Sequence, residues 1–428
     1  MKTAPLSLDA LQEAVQQLPE NALATSRRAA FEHLREHGLP TIRDEDWKYS
    51  DLAPVVDISN RWLADAGTSA PSADAASLIA TIRDSIEADW LVIFGGQIDA
   101  ESLDVFAQSG VSVSRLSESA ENISFDAPLS DLNLALLQDG LRIHVAKDTI
   151  LKAPIGILIV DEANASPGMS QSRIEIELDT GSAATLIEYH ASIGSADQYA
   201  NSVANLTIGD NARADYVRIQ DRSLAHKHTS RLSVRCGRDS VFNHSGFDLG
   251  GSFVRNDIVV DLAQAGCCAT FDGLYLIGDG QHIDNHTRVD HRVGPAESHQ
   301  EYRGILSGKS RGIWNGKAIV HQGADGTDAE QANHNLLLSD KAEIDAKPEL
   351  EIYADDVKCS HGTTVGQLDE TALFYLRTRG LSKREAQQVL TTAFAQSIVS
   401  KAHSEAVRDL LEQKVAQRLD EMMQGAES

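Results

Sequence analysis

The chain has 428 residues, and 63 Asp and Glu against 38 Lys and Arg give it a formal net charge of −25. Nucleic-acid-binding surfaces and surfaces for anionic membranes both need clustered basic residues, so this charge argues against both kinds of partner. Hydrophobic residues make up 42% of the sequence, which is enough for a sizeable core.

The cysteine content is low for a chain of this length. The four cysteines are too few for a disulfide framework, and none lies in the Cys-x-x-Cys spacing of zinc and ferredoxin sites. The first residues lead into a polar helical pattern without the apolar segment of a signal peptide. The sequence therefore predicts a reduced, cytoplasmic protein.

Residues 1–135 are predicted to be a mostly helical N-terminal region. Apolar residues recur there at helical spacing: Leu8, Leu11, Val15 and Leu18. A second helix is predicted from about Ser26 and ends near Gly38. Residues 66–76, rich in Ala, Ser and Asp, are predicted to be a flexible connector, and residues 90–94 a short strand.

From about residue 136 the pattern changes to short alternating strands separated by small polar turns. The last residues of five such turns lie at positions 183, 212, 240, 267 and 296, so the steps are 29, 28, 27 and 29 residues. A strand–turn period near 28 without intervening helices favours a β-solenoid with two strands per repeat, over residues 136–368. The alternative is a meandering β-sandwich, in which this regular spacing would be accidental.

Helical signals return in residues 369–428. The segment Ser382-Lys383-Arg384-Glu385 is a capping box, and it opens a helix with a long apolar stripe. Such stripes usually pack on their own domain, and a solenoid needs a cap at its end. The functional alternative is docking of a partner, for which the candidate residues are Val389, Leu390, Phe394 and Ile398.

Two tempting motifs do not fit their chemistry. Gly308-Lys309-Ser310 resembles the end of a phosphate-binding loop, but Arg303 stands where that loop needs its first glycine, so ATP binding by this chain is not expected. His286 and His291 lie on one predicted strand but point to opposite faces, so they cannot chelate one metal together.

The most informative segment is residues 355–362. If it forms a strand, Cys359 and His361 lie two residues apart and share a face. A thiolate and an imidazole suit a soft metal or an iron–sulfur centre, and they also fit a nucleophile pair or a buried Cys beside a structural His. Because a typical cluster has four ligands, a cluster here would need ligands from another chain.

The same segment resembles the SufD group within the SufB/SufD family, the scaffold subunits of the bacterial SUF system for iron–sulfur cluster assembly. The resemblance is carried by these motifs: KCSHGTTVG (358–366), LFYLRTRG (373–380), SRGIWNGK (310–317), TDAEQ (327–331) and EDWKYSDL (45–52). SufB-type members have an acidic Glu-His-Glu segment where this chain has Cys359-Ser360-His361-Gly362, which favours the SufD group. Trp314, where Phe is usual, is a minor departure.

The resemblance implies a right-handed parallel β-helix between helical regions. It also implies a complex with SufB and two copies of the ATPase SufC, which docks on the C-terminal helices. A transient iron–sulfur cluster would form at the SufB interface, with His361 and Cys359 as the implied ligands from this chain. The chain itself would not be an enzyme.

Several alternatives stay open. One is a SufB-like scaffold that carries a cluster, and another is a carbohydrate-active β-helix enzyme. Cys359 is a ligand, a sulfur relay or a packing residue. The last solenoid strand pairs with a second copy of this chain in a homodimer or with SufB in a heterodimer. A role in iron supply or flavin binding is also undecided.

Overall fold

The structure is a computed structural model that describes residues 5–64, 71–119, 123, 127–402 and 404–425. Its α-helices are α1 (Leu8–Gln17), α2 (Ala24–His37), α3 (Ala53–Ala64), α4 (Ala73–Ser85), α5 (Ala100–Val105), α6 (Pro128–Leu136), α7 (Glu370–Thr378), α8 (Lys383–Val399) and α9 (Glu405–Gly425). No helix among the described residues is long and apolar enough to cross a bilayer.

The strands follow in chain order. They are β1 (Asp89–Phe94), β2 (Gln97–Ile98), β3 (Val111–Arg115), β4 (Leu141–Val145), β5 (Ile155–Glu162), β6 (Gly168–Leu178), β7 (Ala183–Ile193), β8 (Gln198–Ile208), β9 (Arg213–Asp221), β10 (His226–Cys236), β11 (Val241–Asp248), β12 (Phe253–Leu262), β13 (Cys268–Ile277), β14 (His282–His291), β15 (Glu297–Leu306), β16 (Arg311–Val320), β17 (Thr327–Leu337), β18 (Glu343–Ile352) and β19 (Val357–Gly366).

From β4 onward successive strands alternate between two sheets, and each strand pairs in parallel with the strand two places on. One sheet runs β1–β5–β7 and on to β19, and the other runs β4–β6–β8 and on to β18. This is a two-sheet β-solenoid, so the fold predicted from the spacing is confirmed. The N-terminal region, predicted as mostly helical, also adds β1, β2 and β3 to the sheets.

The turns explain why the period was visible in the sequence. Gly181, Asn211, Asp239 and Gly266 all have positive φ, which Gly, Asn and Asp adopt more readily than other residues. Stacked turns bond to each other, as in Gly181 N–H to Asp210 O at 2.9 Å. Turn length varies more than the sequence indicated: Leu232 pairs with Ile258, 26 residues on, and Leu141 with Ile174, 33 residues on.

Helices cover the outer faces of both sheets. The N-terminal helices pack on the β6–β8–β12 side through residues such as Phe31, Tyr199 and Phe253. The helices α8 and α9 pack on the other sheet, where Ile398 and Leu411 join one buried cluster. Helices therefore cover the outer faces of the solenoid, and its last turn, formed by β18 and β19, lies at one end.

The prediction of a flexible connector over residues 66–76 is partly wrong. Residues 66–70 lie outside the described residues, but residues 73–76 begin α4 rather than a flexible segment. The Ser72 hydroxyl accepts a hydrogen bond from Ala75 N at 3.2 Å and caps this helix. The Ala-rich composition that indicated a linker is equally favourable for a helix once it is capped.

Candidate functional site

Cys359 and His361 lie on β19, the last strand of its sheet. Cys359 is aligned with Ala329 of β17, and His361 with Gln331. Ala329 and Gln331 are each 1% exposed and point into the solenoid, so the alternation of the strand turns Cys359 and His361 to the same inner face. The shared face predicted for this pair is confirmed.

The end formed by β18 and β19, called the open end below, has two free edges. Both strands stand last in their sheets, so within the described ranges no strand pairs with their outer edges. Large apolar side chains are exposed on these strands and just after them: Ile352, Tyr353, Val365, Phe374 and Tyr375. Unpaired edges and exposed apolar side chains are typical of a surface that another chain covers.

The two candidate side chains differ in exposure. Cys359 is half-buried, whereas His361 is exposed because no further solenoid turn in the described part of the chain lies above it. Burial raises the pKa of the Cys359 thiol above its ordinary value, so the thiol of the free chain is protonated at neutral pH. Among the described residues no group of three or more His, Cys, Asp or Glu side chains is placed to hold a metal ion.

Comparison with known proteins decides the family. Residues 159–394 match the family model described as SUF system FeS cluster assembly, SufBD core domain. This match starts within β5, ends within α8 and covers more than half of the chain. The chain belongs to the SufBD family.

Individual relatives agree with this assignment. The chain is 30% identical over 400 residues to the iron–sulfur cluster assembly protein SufD of Escherichia coli, covering 91% of this chain and 92% of that protein. It is 27% identical over 285 residues to SufD of Bacillus subtilis, which covers 66% of this chain and 65% of that protein. A SufBD family protein of Synechocystis is 27% identical over 420 residues, covering 93% of this chain and 92% of that protein.

The resemblance drawn from the motifs is thus confirmed. As a member of the SufBD family, the chain has a role in iron–sulfur cluster assembly by the SUF system. This assignment replaces the alternative of a carbohydrate-active β-helix enzyme.

The SufBD core match ends in α8, where the candidate docking residues face different directions. Ile398 is fully buried against the chain's own sheet, and Phe394 lies under Arg303, whose guanidinium is 4.9 Å from the ring centre. Val389 is 46% exposed and lines a shallow groove on the outer side of the helix, while Leu390 is half-buried. Val389 and Ile398 are nine residues apart and therefore point to nearly opposite sides of the helix.

The EDWKYSDL motif has a role that sequence reasoning missed. The Arg255 guanidinium lies 4.4 Å from the Trp47 ring centre and donates to Asp284 at 2.6 Å. Ser50 Oγ donates to the same Asp284 carboxylate at 2.5 Å. Glu45 binds Lys347 of β18 at 2.7 Å. The motif therefore fastens the N-terminal region to the sheet that ends at the open end.

The Gly-Lys-Ser segment and the histidine pair, both rejected as sites from the sequence, lie in the strand region of the solenoid. Gly308, Lys309 and Ser310 form the turn between β15 and β16, and the Lys309 N–H donates to Asp279 at 2.6 Å. The turn runs directly into β16 and not into a helix, so it lacks the strand–loop–helix context of a phosphate-binding loop. His291 points inward and contacts Ser298 at 2.9 Å, whereas His286 faces outward to Asp284.

Proposed function

We propose that this chain is a non-catalytic scaffold subunit of a cytoplasmic SUF complex, in which it pairs with SufB and binds the ATPase SufC. The open end carries this proposal. It combines free strand edges, exposed apolar side chains and an inward-facing Cys–His pair. SufB, which shares the architecture, would pair with β18 and β19 and so extend both sheets across the interface.

The cluster in this proposal is cargo that forms at the interface and leaves it. Cys359 and His361 supply two of the roughly four ligands that a cluster needs, and SufB supplies the others. Iron binding must displace the thiol proton of Cys359, because the thiolate is the ligand. His361 is exposed in the free chain, so it is accessible to incoming iron without rearrangement of the solenoid.

SufC would bind the outer side of α8. The groove there is lined by Leu381, Val389 and Ala393, which offer an apolar surface between polar side chains. The opposite side of α8 is buried on the solenoid through Ile398. A movement of α8 driven by ATP hydrolysis on SufC would therefore pull directly on the sheet that ends in β19.

The test is co-expression with SufB and SufC, followed by anaerobic cluster formation with iron and sulfide. We expect His361→Ala and Cys359→Ser to lower the cluster yield while the complex still assembles. Ser360→Ala is the matched control, because Ser360 lies between them and points to the opposite face. Unchanged yield in both site variants would refute the site, and failure to bind SufB and SufC would refute the scaffold role. A stable cluster on this chain with SufC alone would favour the SufB-like alternative.

A further inference from the structure

A second pocket lies at the far end of the solenoid from Cys359 and His361, beside its first turns. Its volume is about 430 Å³, and its apolar walls include Trp62 of α3, Phe94 of β1 and Met169 of β6. Its polar wall includes Asp161 at the end of β5 and Gln198 at the start of β8. The pocket is therefore formed jointly by the N-terminal region and the solenoid.

Two buried oxygen atoms in this wall have no hydrogen-bond donor among the residues that the structure describes. They are Oδ1 of Asp161, a residue that is 0% exposed, and Oε1 of Gln198, a residue that is 2% exposed. The other oxygen of Asp161 accepts from Arg222 at 2.5 Å. A buried acceptor without a donor is destabilising, and native proteins rarely leave one without a ligand or an ordered water.

Gly168 shows where the Gln198 oxygen lies. Gly168 also lines the pocket, and a Cβ atom built on it would fall 1.9 Å from Gln198 Oε1. The absence of a side chain at Gly168 thus leaves room for the amide oxygen at the pocket wall. Any larger residue at this position would displace it.

The charge of the pocket selects the kind of ligand. Its lining includes the carboxylates of Asp161, Glu162 and Asp99, and none of the lining residues in the described part of the chain is basic. Glu162 already accepts from Ser72 N at 3.1 Å and from Asn164 Nδ2 at 2.6 Å. Aromatic walls beside carboxylates are the setting in which organic cations bind, through cation–π contact and charge.

We propose that this pocket binds a small organic cation through a primary ammonium group. The ammonium would donate to Asp161 Oδ1 and Gln198 Oε1, and its aliphatic part would lie between Trp62 and Phe94. A metal ion is a poorer fit, because no group of three or more acidic, His or Cys side chains in the described ranges is placed to hold one. The proposal goes beyond cluster assembly and does not depend on it.

The test is calorimetric titration of the full-length chain, with thermal unfolding as a second readout. The probes are butylammonium, cadaverine and lysine blocked at its α-amino and carboxyl groups, against 1-butanol and butyrate of similar size. We expect saturable binding and a raised unfolding temperature with the amines only. Tighter binding of the blocked lysine would identify a protein side chain as the source of the ammonium, and tighter binding of cadaverine a free amine.

A substitution tests whether the Gln198 oxygen takes part in the binding. Gln198→Met keeps the size of the side chain and removes the acceptor, so it should weaken amine binding roughly ten-fold. Gln171→Met is the matched control, because Gln171 is a buried amide on the adjacent strand that does not line the pocket. Equal binding of butylammonium and 1-butanol, or no saturable binding by the wild type, would overturn the proposal even if Gln198→Met failed to fold. Wild-type affinity in a folded Gln198→Met variant would overturn it as well.

Discussion

The helix α8 allows its support and its contact surface to be changed separately. Ile398 is fully buried among apolar side chains of the solenoid, whereas Val389 is 46% exposed on the other side of the helix. We therefore compare Ile398→Ala with Val389→Asp. The first removes packing, and the second removes an apolar side chain from the surface proposed to bind SufC.

The first substitution should change the stability of the helix packing, and the second should change the affinity for SufC. Truncating a fully buried Ile to Ala leaves a cavity and costs about 2–5 kcal/mol. This cost falls on the docking of α8, so hydrogen exchange should speed up in α8 and α9 before the solenoid strands respond. Val389→Asp should change the free energy of unfolding by only about 0.5 kcal/mol, as exposed substitutions usually do. It should weaken SufC binding at least about ten-fold, because a charge replaces an apolar contact in a desolvated surface.

The assay combines hydrogen exchange of the free chain with calorimetric titration of SufC. Unchanged exchange in α8 and α9 of Ile398→Ala would show that this packing does not hold the helix. Wild-type SufC affinity in Val389→Asp would show that the outer groove of α8 is not the docking surface. The two results are independent, so each part of the reasoning can fail alone.

Three further predictions concern other parts of the molecule. Burial disfavours the charged form of Asp284, but Arg255, His286 and Ser50 together outweigh this effect and hold the pKa of Asp284 below its ordinary value. This stabilisation is present above the ordinary carboxyl pKa and is lost as the pH falls through the lowered one. Arg255→Met should therefore cost about 3–5 kcal/mol at neutral pH and move acid unfolding, followed by circular dichroism, to higher pH; an unchanged acid midpoint would contradict this. Alkylation of Cys359 should accelerate as the pH rises, since its thiol pKa is raised. It should stop when SufB is bound, while the half-buried Cys268 stays reactive as the control. Equal labelling of Cys359 with and without SufB would count against the interface. Ser382→Ala removes the hydroxyl that accepts a hydrogen bond from Glu385 N at 3.2 Å. It should lower the free energy of unfolding by about 1 kcal/mol and speed hydrogen exchange at the start of α8. Ser400→Ala at the other end of the helix should do neither.

The features that the sequence predicts well are those set by local geometry. The inner face shared by Cys359 and His361 follows from the two-residue period of a strand, which needs no knowledge of the rest of the chain. The solenoid period was visible because its turns repeat residues that tolerate positive φ, such as Asn211 and Gly266.

The features that the sequence could not provide depend on distant contacts. Arg255 Nη1 binds the carbonyl oxygen of Asp46 at 2.8 Å across 209 residues, and no local pattern pairs them. The apolar stripe of α8 contained both Val389 and Ile398, but only the packing shows which of them faces the solenoid. The pocket near Gln198 was also missed, because a single amide in a strand carries no sequence signal until the N-terminal region packs beside it.

The central claim is that the open end supplies part of an iron–sulfur cluster site. Its most direct test is anaerobic reconstitution of the complex with SufB and SufC using ⁵⁷Fe, followed by Mössbauer spectra of the wild type, His361→Ala and Ser360→Ala. We expect the wild type and Ser360→Ala to give the same cluster spectrum. We expect His361→Ala to give altered Mössbauer parameters or a smaller amount of cluster. Identical spectra and yields in all three complexes would show that this chain contributes no ligand at His361.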